Sequence, residues 1–354
     1  MASRASQAAS PGYEWDFGRV LALGLSFSAL LLLVWLLVAV KNVILLAMLA
    51  VLFALLLDSG VRGLRALLPL PRWAALLVLW GSLTILILVC ALLLAPRVSA
   101  DLNHLAERIP AAMSRIESSV RDTPWGSAAI DQLSQLKESS SLREAGHRFL
   151  GLFSSAVGVI GAALVIIVLG IFVASEPRAY VQGGLRLFPL ASRARAEQIV
   201  TTMGRSLRWW LVGRFASMGF VSLLTWIGLS LLGVPLPLLL ALIAGLFSFV
   251  PTFGPVASAL PAVLVGLSAG PQQALWVALL YLGVQLFESY GITPLIQRRT
   301  VRMPPALLVL FQLMMAVLAG VLGVLLATPI LVVLMVLVGM LYVEDVLGED
   351  VDLR

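Results

Sequence analysis

Charge falls along this chain in bursts, and the apolar runs between the bursts differ widely in length. Val20–Val40 is 21 residues without a charged side chain, Trp73–Pro96 is 24 and Phe149–Ser175 is 27. Lys41-Asn42 separates the first run from a shorter one, Val43–Leu57, which ends at Asp58. Phe215–Phe287 holds 73 uncharged residues and Met303–Val343 another 41. A helix crossing the hydrocarbon core needs about 20 apolar residues. The pattern therefore predicts an all-α polytopic integral membrane protein of about six to eight segments, with a tight polar turn at Lys41-Asn42. The first run is longer than a signal-peptide core and no small-residue cleavage site follows it, so it is expected to stay attached.

The longest run is interrupted. Gly233-Val-Pro-Leu-Pro237 turns the chain after a helix over 215–232. Leu238–Val250 and Val256–Ser268 then flank Pro251-Thr-Phe-Gly-Pro255. Proline lacks the N–H and clashes with the preceding turn, so this cluster ends a helix. Each flank spans about 20 Å at 1.5 Å per residue, short of the roughly 30 Å of hydrocarbon. The stretch is thus either a re-entrant hairpin or one long broken crossing. A second interruption is expected at Ala319-Gly-Val-Leu-Gly323 and Ala327-Thr-Pro329. The order helix, turn, broken hairpin then occurs twice, from opposite sides. If both breaks turn back, this is the inverted-topology repeat of many secondary transporters.

Non-helical backbone at membrane depth survives only where protein buries it or water lines it. The breaks therefore mark candidate pathway positions: Pro251, Gly254 and Pro255 at the first, Gly320, Gly323 and Pro329 at the second, and Pro294 between them. The polar side chains nearby are Ser248, Thr252, Gln285, Glu288, Thr293, Gln312 and Thr328. Glu288 is the only acid between Glu197 and Glu344. A carboxylate there either carries a proton or cation, or sits near the interface and pairs with Arg298 or Arg299. Both readings stay open.

Composition agrees: 60% of the 354 residues are hydrophobic and 12% charged, against roughly 25% charged in soluble domains. The net charge of +6 does not imply nucleic acid, because the cations sit between apolar runs. Thirteen arginines fall in the 58–72, 176–214 and 298–302 connections, whereas the alternating turns hold one lysine. Cations collect on the cytoplasmic side, so that face and both termini are expected inside a bacterial inner membrane. Four regions follow: scaffold helices over 1–96, an extracytoplasmic amphipathic insertion over 97–148, a helix with a basic connection over 149–208, and a transport core with an acidic tail over 209–354. One cysteine and two histidines leave no disulfide framework or metal cluster. There is no Walker A sequence, His-Glu-x-x-His or Gly-x-Ser-x-Gly, so neither ATP hydrolysis nor another enzyme activity is expected, and no cofactor.

Several strings resemble a known family. Phe249-Val-Pro-Thr-Phe-Gly-Pro255 followed by Ala259-Leu-Pro261-Ala262 is similar to a signature of the autoinducer-2 exporter family of prokaryotic permeases. Glu288–Pro294 with Ile296-Gln-Arg-Arg-Thr-Val301 and Pro304-Pro305-Ala306-Leu307 resembles its second signature, and Gly320, Gly323 and Leu326-Ala-Thr-Pro329 its third. The resemblance implies a secondary transporter that forms homo-oligomers, with members assigned to signal export and others to sodium/proton exchange. The expectation is gradient-driven export of a small polar metabolite or signalling molecule such as autoinducer-2. The alternatives are cation/proton antiport through Glu288 and a non-transporting membrane scaffold. The expected partners are the lipid bilayer, the solute and a proton or sodium.

Overall fold

The structure, a computed structural model, describes residues 17–82, 84–85, 92, 156–292, 294 and 303–350. The 97–148 insertion, Thr293 and the Arg298–Arg302 turn lie outside the described residues. Residues 1–44 and 45–354 form two compact units. The described part of the first is the opening of α1, Phe17–Leu67.

Every regular element among the described residues is helical. α2 covers 72–82, α3 is Ala156–Ser175, and α4 is Pro177–Leu185. A single turn of 3₁₀ helix, Leu190–Ser192, leads into α5, Arg193–Leu231. Then follow α6, Pro237–Phe247, α7, Phe253–Ala269, and α8, Pro271–Phe287. A π-helical turn at Glu288–Ile292 closes α8. Pro305–Val338 forms α9, and a second π-helical turn spans Gly339–Glu344.

By length and composition four of these stretches could cross a membrane: Ala39–Leu67, Leu190–Leu231, Pro271–Ile292 and Pro305–Glu344, the last of them interrupted at Gly320. Ala163–Ser175 with Pro177–Leu185, bent by 82°, is either a broken fifth span or a re-entrant loop. The chain is a multi-pass membrane protein, with fewer spans among the described residues than the six to eight expected. One reason is α1, whose backbone stays helical through Lys41-Asn42. Lysine is a good helix former and no glycine or proline stands there to stop it, so the expected turn does not form. The crossing count that set the N-terminus on the basic side loses that reversal. The helix expected over 215–232 likewise begins earlier, at Arg193.

Both interruptions expected in the 209–354 region are present. The first separates α6 from α7 over 248–252. The second falls within α9 at Gly320, whose φ of 61° and ψ of −143° are not helical and suit only glycine at little cost. Pro329, by contrast, lies inside a helical arm, so Ala327-Thr-Pro329 is not a break. There the ring is accommodated within the helix, as Pro261 is in α7.

At both breaks the chain folds back on itself. A Cβ placed on Gly254 would strike the Phe247 carbonyl, and one on Gly323 would strike the Met315 carbonyl. Residues seven or eight apart in a straight helix are separated by about 10–12 Å. Contact at that spacing requires reversal, so the geometry is that of two hairpins, each with a glycine where its arms cross.

α5 is the element shared by the two main cores. With α6, α7 and α8 it buries Val221, Leu229, Leu240, Val265 and Val277. With α1 and α9 it buries Leu52, Leu207, Trp210, Leu326, Ala327 and Val332. Leu223, Trp226 and Ile227 of α5 and Leu275, Trp276 and Leu279 of α8 point outward instead. So much exposed apolar surface suits acyl chains rather than water.

Candidate functional site: the junction of two hairpins

The first hairpin's tip, 248–252, is non-helical backbone whose first N–H groups close turns onto the last carbonyls of α6. Thr252 sits at φ 71°, ψ −56°, a conformation that strains a β-branched residue. Three side chains from other elements hold the tip. Trp210 of α5 meets the Phe249 ring edge-on at 5.8 Å. Arg214 of α5 donates from Nε to the Phe249 carbonyl at 3.1 Å. Gln312, in the first arm of α9, donates from Nε2 to the Pro251 carbonyl at 3.1 Å. The second hairpin is thereby tied to the bend of the first.

Arg214 is also the partner of Glu288. Its Nη1 lies 3.1 Å from Glu288 Oε1, and Ser217 Oγ donates to the same oxygen at 2.5 Å. Both charged side chains are almost fully buried, at 11% and 5% exposure. Glu288 stands where α8 gives way to its π-helical turn, a distortion found frequently at functional sites. The buried acid therefore has a specific cation and a hydroxyl, both from α5. Arg298 and Arg299, the partners considered from sequence, lie outside the described residues.

The remaining expected positions divide clearly. Ser248 is fully buried, but its Oγ bonds back to the Gly245 carbonyl at the end of α6, at 2.8 Å. Gln312 is fully buried, and its Oε1 has no hydrogen-bond partner among the described residues. Thr328, at 2% exposure in the second arm of α9, has an unpartnered Oγ1 as well. Gly254, Gly323 and Pro329 are buried, whereas Thr252 and Gly320 are exposed and Pro251 and Pro255 half-buried. Gln285 faces away from this network, its Nε2 donating to Ser289 Oγ at 3.2 Å in an exposed pair. Pro294 is exposed.

Sequence reasoning missed Arg214, Ser217 and Trp210. By charge alone Arg214 is one more cation of the basic 176–214 connection. Its signal was its setting: it is the last charge before the 73-residue run and follows Trp-Trp-Leu-Val-Gly, so the cation is already inside an apolar helix.

Chemically, the junction offers buried carbonyl and amide oxygens with spare acceptor capacity, a hydroxyl and a carboxylate countered by one arginine. Such groups suit a small polar solute or a cation better than an apolar one. Among the described residues no three His, Cys, Asp or Glu side chains come together as a metal cage.

The chain is similar to "Putative transport protein YueF" of Bacillus subtilis, with 21% identity over 274 residues covering 74% of each protein. It is 30% identical over 151 residues, 43% of each, to "Putative transport protein YrrI" of the same organism. A Mycobacterium tuberculosis protein named in the same way is 32% identical over 212 residues, 58% of this chain and 54% of its own. Residues 25–342 match the model of the AI-2E family transporter, a span that takes in both hairpins, α5 and Glu288. The chain belongs to the AI-2E transporter family.

Proposed function

We propose that the protein is a gradient-driven exporter of a small polar metabolite or signalling molecule, of which autoinducer-2 is one candidate, and that the solute passes at the hairpin junction. The carrying observation is the Gln312–Pro251 hydrogen bond between the two hairpins, beside the orphaned Oε1 of Gln312. An unsatisfied acceptor in a buried site costs about 1–3 kcal/mol, and a passing solute with hydroxyl donors would relieve it. The transporter sits in a bacterial cytoplasmic membrane with its arginine-rich face inside, and it works as a homo-oligomer.

The test is flux in reconstituted vesicles across a panel of small polar solutes, with and without imposed proton or sodium gradients. Gradient-dependent movement of at least one solute is expected. Flux no greater than that of protein-free vesicles across the whole panel would sink the proposal, and a scaffold would then remain.

A second reading is favoured by the buried Glu288–Arg214 pair. In cation/proton antiport, an incoming cation or proton competes with Arg214 for the carboxylate. A sodium pulse should then change the internal pH of the vesicles, and Glu288→Gln should abolish that response. If the response survives in Glu288→Gln, exchange does not run through this carboxylate.

A further inference from the structure

A second polar centre lies away from the hairpin junction. Asp58 of α1 is 5% exposed and is gripped by three arginines from three elements. Arg62 Nη2 lies 2.9 Å from its Oδ2, Arg72 Nη2 2.7 Å from Oδ1, and Arg208 Nη2 2.9 Å from Oδ2. One carboxylate cannot neutralise three guanidinium groups. Arg72 also reaches the Ala174 carbonyl at 3.0 Å, yet the Nε atoms of both Arg72 and Arg208 are buried without a partner among the described residues.

This cluster lines a cleft of about 1660 Å³ between α1, α3, α4 and α5. Arg65, Arg178 and Arg205 line it as well, against only two further acids, Glu176 and Glu197. Arg178 and Arg205 form no ion pair among the described residues. Six cations facing three anions across one concavity leave a positive excess, and low-dielectric walls focus such a field. The rim carries Tyr180, Leu187 and Phe188, all exposed, the side chains expected where a cleft opens toward lipid.

We infer that this cleft is a binding site for a phosphate-bearing anion, distinct from the transport junction. Guanidinium forks match phosphate oxygens in bidentate geometry, and basic pockets between membrane helices on the cytoplasmic side take anionic headgroups. Either a phospholipid headgroup or a free phosphate compound supplies the same group, and the apolar rim adds contacts that only the lipid can use.

The test measures binding to the full chain in neutral detergent at fixed ionic strength. The probes are inorganic phosphate, short-chain phosphatidylglycerol and short-chain phosphatidylcholine, each lipid below its micellar concentration. Saturable binding of phosphatidylglycerol is expected, at least tenfold tighter than phosphatidylcholine. Arg178→Gln with Arg205→Gln, which leaves the Asp58 cluster intact, should weaken it at least tenfold. Arg186→Gln, a cation outside the cleft, should change it less than twofold. If phosphate competes, the headgroup anion alone suffices; if only the lipid binds, the rim is part of the site. Absence of binding by both anionic probes, equal affinity for phosphatidylcholine, unchanged affinity in the double variant, or an equal loss in Arg186→Gln would each overturn the inference.

Discussion

Arg214 and Glu288 are 74 positions apart in sequence and meet at 3.1 Å in the buried interior. The same guanidinium bonds the Phe249 carbonyl, so one side chain joins the helix that carries the acid to the bend of the first hairpin. Removing one member of a buried pair strands the other and costs about 3–5 kcal/mol. Glu288→Gln and Arg214→Gln should each destabilise the detergent-solubilised protein by that order. The double substitution should cost clearly less than the sum, because neither charge is then stranded. Denaturation of the four proteins of the cycle measures this, and strict additivity would show that the pair is not coupled.

Gln312 separates stability from transport. Its amide holds Pro251, but its Oε1 is buried and unpaired, so Gln312→Leu removes one hydrogen bond and one unsatisfied group together. The Pro251 carbonyl keeps the Phe253 N–H at 2.8 Å, so no acceptor is newly stranded and the change should cost no more than about 1 kcal/mol. The expected outcome is an almost unchanged melting temperature with vesicle flux reduced at least tenfold. Unchanged flux would make Gln312 a packing residue.

Gly254 and Gly323 leave no room where the hairpin arms cross, since an added Cβ meets backbone rather than a flexible side chain. Alanine at either position should destabilise by about 1–3 kcal/mol or more. Gly63→Ala has open space around it and serves as the control, with little loss of melting temperature. Equal effects at all three positions would contradict the close crossing.

The breaks, though not the reversal of the chain at them, were legible in the sequence for a plain reason. Proline and glycine act on the backbone locally, so Pro251–Pro255 and Gly320 announce their breaks without any tertiary context. Pro329 shows the limit of that rule, because a packed helix can absorb one missing N–H. Lys41 misled in the opposite direction. A lysine interrupts a run of apolar letters but not a helix, and its flexible stem lets the charge find a polar place. Glu288 stood out as the sole acid in its region, yet its partner did not, because pairing across 74 residues depends on how α5 and α8 pack. The Asp58 cluster was hidden in the same way. Its three arginines read as ordinary members of basic connections, and only the fold makes them converge.

Arg208 and Arg214 stand six residues apart on α5, a rise of about 9 Å. The first grips Asp58 and the second grips Glu288. A single rigid rod therefore has its two anchors set in different neighbours, and sliding or rotating it loosens both holds at once.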